Sequence, residues 1–130
     1  MPVLGHGLDL VETARIAALL ERHDQAFRDR VFTPDEQRYC ERNARRRVEH
    51  YAVRFAAKEA AFKALGTGVS GGIRWTDAQV LRLPSGQPQL QLQGHARQVA
   101  DDLGIARFLL SLTHVGPMAA ASVLAVSDPA

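Results

Sequence analysis

The stretch from Arg54 to Gly68 constrains this chain more than any other. It carries strong helix formers as far as Leu65, after which Gly66 and Gly68 end the helix. At about 100° per residue, Val48, Tyr51, Ala52 and Phe62 fall within about 60° of Phe55 and make an apolar stripe. Glu59 lies inside that stripe, about 40° from Phe55, and Lys63 sits on its flank. A carboxylate among apolar side chains is costly unless it is paired or holds a metal. Lys58 falls at the other edge, where its stem could lie along the stripe with the ammonium in water.

The rest of the chain supplies layers for this helix. Val3 to Val11 is strand-like, and Gly5 and Gly7 thin one of its faces for the close approach of another backbone. Thr13 to Arg22 is helical, with Ile16, Ala17, Leu19 and Leu20 toward the core. Thr33, Pro34, Asp35 and Glu36 form a helix start, and that helix runs to about Cys40, before the longer helix over roughly Arg45 to Leu65. Leu81 and Leu83, then Leu90 and Leu92 after the turn at Pro84 to Gln87, read as a hairpin with one wet face. His95 to Leu103 returns to helix, with Ala96, Val99, Ala100 and Leu103 on one side and Gly104 as its stop. Phe108, Leu110 and Leu112 share one face of a strand with His114 at its end, and Met118 to Val126 forms a last strand of small residues. The order β-α-α-α-β-β-α-β-β implies an α+β fold: one domain over residues 1–130, with a mostly antiparallel sheet packed on the long central helix.

Bulk properties exclude several classes. The chain has 130 residues, 46% of them apolar and 23% charged, and a net charge of +2, which suits a globular protein with a real core. With 6% aromatic residues and no interleaving of aromatic and basic positions on the strands, nucleic-acid binding is disfavoured. Cys40 is the only cysteine, so no intrachain disulfide forms and a reducing, cytoplasmic location fits. Neither a signal peptide at Met1 to His6 nor a membrane span is expected, since the longest apolar run, Met118 to Val126, is too short.

Several residues could carry chemistry, each with a plainer alternative. Asp9 either caps a turn before the first helix or is one of two carboxylates, with Glu59, holding a divalent cation. Glu59 and Lys63 either form an i,i+4 ion pair or act as metal ligand and phosphate-neutralising cation. Gly66 to Gly72 either caps the helix or cradles a phosphate, but it is not a P-loop. His114 is either a core histidine or reaches a cleft beside the Gly116–Pro117 turn. Arg45 to Arg47 reads as a solvated helix start, with phosphate binding as the alternative, and nothing marks Cys40 as a nucleophile.

Four segments appear in order: Gly5 to Glu12 with Arg15 and Ile16, Phe32 to Glu36, Tyr51 to Gly68, and Ser111 to His114. On these segments the chain resembles the holo-acyl-carrier-protein synthase family, the short type of 4′-phosphopantetheinyl transferase, over nearly its whole length. The resemblance implies transfer of 4′-phosphopantetheine from coenzyme A to a serine of apo acyl carrier protein, releasing adenosine 3′,5′-bisphosphate, in fatty-acid or polyketide synthesis. It implies Asp9 and Glu59 as Mg²⁺ ligands, Lys63 on the pyrophosphate, and Arg54 near the adenosine end of coenzyme A. It further implies His114 on the coenzyme A phosphates, Gly66, Thr67 and Gly68 as a phosphate wall, Arg15 facing the acidic carrier, and a homotrimer. Glu59, through a water, is the expected base for the carrier serine, with His114 as the other candidate. His6, Phe62 and the details of Val69 to Gly72 depart from the family pattern without removing a charged residue. The competing reading is a coenzyme A- or nucleotide-binding module without catalysis.

Overall fold

A computed structural model describes residues 2–128. Strand β1 (Val3–Glu12) leads into α1 (Thr13–Val31), α2 (Pro34–Glu41) and, after a 3-10 turn at Ala44–Arg46, the long helix α3 (Arg47–Leu65). The hairpin β2 (Ala78–Arg82) and β3 (Pro88–Leu92) follows, then α4 (Gly94–Asp102), β4 (Arg107–Val115) and β5 (Met118–Val126). All pairing is antiparallel, in a three-stranded sheet β1-β5-β4 and the two-stranded hairpin. The order of elements and the α+β class are those implied by the sequence.

Helix α3 is central, not amphipathic. From Tyr51 to Leu65 every side chain is buried except half-buried Glu59 and exposed Lys63. The sheet covers one side, and α1, α2, β2 and Trp75 cover the other. Its sheet-facing residues are small, Ala56, Ala57, Ala60, Ala61 and Ala64, and they meet Ala119, Ala121, Val123 and Ala125 of β5. Small residues on both surfaces let the layers come unusually close. A Cβ added to Gly7 would lie 1.7 Å from the Ala60 carbonyl oxygen, and one on Gly5 would lie 2.1 Å from that of Ala64. Both positions therefore have to be glycine for β1 to lie against α3.

Lys58 does not snorkel, contrary to the sequence reading. It is fully buried, with Nζ 2.6 Å from Glu36 Oε1 and donating to the carbonyl oxygens of Trp75 (3.2 Å) and Ala78 (2.5 Å). Glu36 is buried as well: it accepts from the Thr33 and Val80 amides while Thr33 Oγ1 accepts from the Glu36 amide, which closes a capping box on α2. One ion pair thus ties α2, α3 and β2 together, and each charge has the extra hydrogen bonds that burial demands.

Other details also differ from expectation. Helix α1 continues past Arg22 to Val31 with a break at Asp24 (φ 25°, ψ −98°), where the Asp24 carboxylate bonds Arg28 and Arg47, each at 2.9 Å. In the hairpin, Ala78 and Val80 face inward opposite Leu92 and Leu90, so Leu81 and Leu83 lie on the outer face. Leu103 caps α4 and points outward, leaving Ala96 and Ala100 as its buried residues. No helix among the described residues is long and apolar enough to cross a membrane.

Replacing Lys58 with Met removes the cation and leaves Glu36 as an unpaired buried carboxylate. Denaturant unfolding of Lys58→Met should show a loss of about 3–5 kcal/mol, and a loss under about 1 kcal/mol would mean the pair does not hold these elements together.

Candidate active site

The close contact of β1 and α3 brings two acids face to face. Asp9 follows Gly5 and Gly7 on the helix-facing side of β1, and Glu59 lies half-buried on α3, one residue before Ala60. The Asp9 and Glu59 carboxyls come close enough for a hydrogen bond between them. Burial, then the Asp9 charge, then that hydrogen bond push the Glu59 carboxyl above the usual carboxylate range, while Arg15 and Lys63 pull it down.

Lys63 joins the group from one helical turn further on. Its Nζ lies 3.1 Å from Asp9 Oδ1 and donates to the Leu8 carbonyl oxygen at 3.0 Å, with its side chain half in solvent. The Glu59–Lys63 ion pair, the plainer of the two alternatives, does not form within 4 Å; Asp9 takes the ammonium instead. Arg15 completes the cluster, its guanidinium 5.4 Å from the Phe55 ring centroid and its charge felt at Glu59. That second neighbourhood of Arg15 was not readable from helical periodicity, because it depends on how α1 crosses α3.

Other candidate residues lie elsewhere in the chain. His114, exposed near the end of β4, has Nε2 3.9 Å from Glu49 Oε2, and Arg46 lies 3.8 Å from the same oxygen. Glu49 is ten residues before Glu59 on α3, about 15 Å along its axis. Arg54 is buried on another side of α3, about 140° around the helix from Glu59. Gly66 adopts the left-handed conformation (φ 79°), and the amides of Gly66, Thr67 and Gly68 donate to the carbonyls of Lys63 and Phe62. Those three N–H groups close the helix end, as the capping alternative required. Cys40 is buried, and burial pushes its thiol up to about 12, which fits the absence of any assigned role.

One chain therefore gathers Asp9, Glu59, Lys63 and Arg15, and leaves Arg54 and His114 apart. No group of three or more metal-ligating side chains exists among the described residues. A pair of carboxylate oxygens is what Mg²⁺ ordinarily takes from protein, its remaining positions filled by water and phosphate oxygens, so the residues present fit that ion.

Comparison with known proteins points the same way. Residues 5–113 match the model of the 4′-phosphopantetheinyl transferase superfamily. The holo-[acyl-carrier-protein] synthase of Koribacter versatilis is 48% identical over 122 residues, covering 94% of this chain and 97% of that protein. The crystal structure of the Neisseria meningitidis holo-[acyl-carrier-protein] synthase superposes with a TM-score of 0.87 at 32% identity, covering 97% of this chain and all of that one. The Helicobacter pylori synthase, solved in complex with coenzyme A, gives 0.82 at 27% identity, covering 93% and 99%.

The acid pair makes a pH prediction for metal-free protein. A carboxyl raised in the folded state lowers stability fully above its raised folded value, and that penalty is relieved as pH falls from there toward the unfolded value and is absent below it. In chelator, Glu59→Gln should melt higher than wild type at pH 7, and the difference should shrink toward pH 4. Calorimetric melts with no difference at pH 7 would show that the two acids do not repel.

Proposed function

Because this chain belongs to the holo-acyl-carrier-protein synthases of the 4′-phosphopantetheinyl transferase superfamily, we propose that it moves 4′-phosphopantetheine from coenzyme A to a serine of an apo acyl carrier protein. It does so as one transferase domain over residues 1–130, in the cytoplasm, for fatty-acid or polyketide synthesis. The observation that carries this reading is the contact between Asp9 and Glu59 with Lys63 on its edge.

Asp9 and Glu59 would hold Mg²⁺, which when bound withdraws charge from the coenzyme A pyrophosphate. Lys63, half-exposed and attached through Asp9 and Leu8, is placed to meet phosphoryl oxygens as negative charge builds on them. The carrier serine oxygen forms a bond to the phosphorus nearer pantetheine, the bond to the leaving adenosine 3′,5′-bisphosphate breaks, and the serine proton passes through a water to Glu59. Within one chain Glu59 is the base at hand, since that chain's His114 stands near Glu49, about 15 Å down α3. Arg15 borders the cluster from the exposed side of α1, where an acidic carrier helix would dock, and that docking should weaken with salt.

The outer face of the three-stranded sheet supports self-association. Leu4, Leu8 and Leu10 of β1 and Leu109 and Val115 of β4 are all exposed on the side away from α3. An apolar patch of this kind is a protein-contact surface, and a homotrimer using it would bring His114 or Arg54 of one copy toward the acids of the next.

Two experiments test this. Incubation with apo carrier protein, coenzyme A and Mg²⁺ should add one phosphopantetheine mass to one serine, and Glu59→Gln should reduce turnover by about 100-fold or more. No added mass with several carriers would sink the assignment. Leu8→Asp with Leu10→Asp should give a monomer by light scattering and abolish transfer; a trimer that stays intact would remove this face from the assembly.

A further inference from the structure

The apolar outer face of the three-stranded sheet carries a histidine in its midst. On β1 the positions facing away from α3 continue from His6 to Leu8 and Leu10, all three exposed, and end at Glu12. His6 stands in register with Leu124 of β5, and Leu124 with Leu109 of β4, so one row across the sheet is histidine, leucine, leucine. The next row is Leu8, Ser122 and Ser111, and neither row holds a charged residue. His6 is one of the positions that depart from the family pattern, and no step of the transfer uses it.

Nothing on this face offsets a charge at His6. Among the described residues, no carboxylate lies within 4 Å of it. On its own strand the nearest acid of the face is Glu12, six residues further and about 20 Å along β1. From β5 it meets Leu124, with Ser122 and Val126 to either side, none of them charged. From β4 the nearest charge is Arg107, opposite Val126, roughly 12 Å away and a cation. Helix α3 lies behind the strand, on the side of Gly5 and Gly7. A neutral imidazole tolerates contact with leucines, whereas an imidazolium without a counterion loses its hydration there at far greater cost.

We propose, resting on self-association through this face, that His6 gates the assembly: copies join while the imidazole is neutral and part when it is protonated. Apposed sheets replace the water around His6 with apolar side chains, so the free chain takes up the proton more readily than the assembled one. Linkage then fixes the sign: association is strongest above the histidine range and weakens as pH falls through it. Every copy brings its own His6, so a symmetric assembly meets the cost once per copy.

Light scattering over a dilution series, at constant ionic strength, tests this on wild type, His6→Leu and His6→Gln at about pH 8 and about pH 5.5. The concentration at which wild type half-dissociates should rise at least about 10-fold at the lower pH. Both variants, which cannot take up the proton, should keep their association across the same step. His6 is exposed in the single chain, so neither replacement should disturb the fold, and circular dichroism at each pH separates dissociation from unfolding. Should His6→Leu aggregate through its enlarged apolar face, His6→Gln carries the comparison. A wild type that assembles equally at both pH values overturns the gate, as do variants that weaken as much as wild type, because the proton then acts elsewhere. If all three proteins are monomers at about pH 8, self-association itself fails and the gate falls with it, a result distinct from an assembly that ignores pH.

Discussion

The contact of two backbones governs this structure. Where β1 crosses α3, the carbonyls of Ala60 and Ala64 point at Gly7 and Gly5 with no room for a side chain. A strand can press on a helix this closely only if both surfaces are stripped, and the alanines of α3 and β5 complete that stripping. The consequence is chemical. Asp9 follows Gly7 by two residues on the same face of β1, so it emerges where Glu59 precedes Ala60 on the helix. With larger residues in the layer, the two acids would stand apart.

The opposite side of α3 fixes its rotation. Lys58 and Glu59 are adjacent, so they point about 100° apart. Lys58 is drawn into a dry pocket by Glu36 and two carbonyl oxygens, and this holds Glu59 toward β1. A buried ion pair contributes little net stability against an apolar alternative, yet it penalises any rotation that would unpair a charge. Packing sets the distance between β1 and α3, and the ion pair sets the angle at which Glu59 arrives.

Much of this was legible in the sequence because it is local. Capping at Thr33, the glycine stop at Gly66 and the alternation in β3 and β4 follow from neighbouring residues, and the order of elements follows from them. Glu59 stood out by periodicity, and Gly5 and Gly7 announced close approach. Periodicity did not tell that α3 is buried on nearly every side, because alanine fits both an exposed and an enclosed helix face. Lys58 was misplaced for the same reason: its partner, Glu36, already had a sufficient local explanation as the closing residue of a capping box. The Leu81 and Leu83 pairing failed because β2 begins at Ala78, so its inward parity is set by Ala78 and Val80. Arg15 beside Glu59 depends on a crossing between helices distant in sequence.

Separation of the charged groups also limits what one chain can do. Asp9, Glu59 and Lys63 lie on the sheet side of α3, Arg54 is enclosed on the side of α2 and β2, and His114 stands at the helix's opposite end. The packed body of α3 lies between the two acids and Arg54. The exposed leucines of β1 and β4 leave an apolar outer sheet face, the surface on which the proposed association of copies rests. The packed helix that divides these groups within a chain also holds each of them rigid. The close-packed layer that brings two acids together is thus part of the same packed body that keeps them apart from Arg54 and His114 of their own chain.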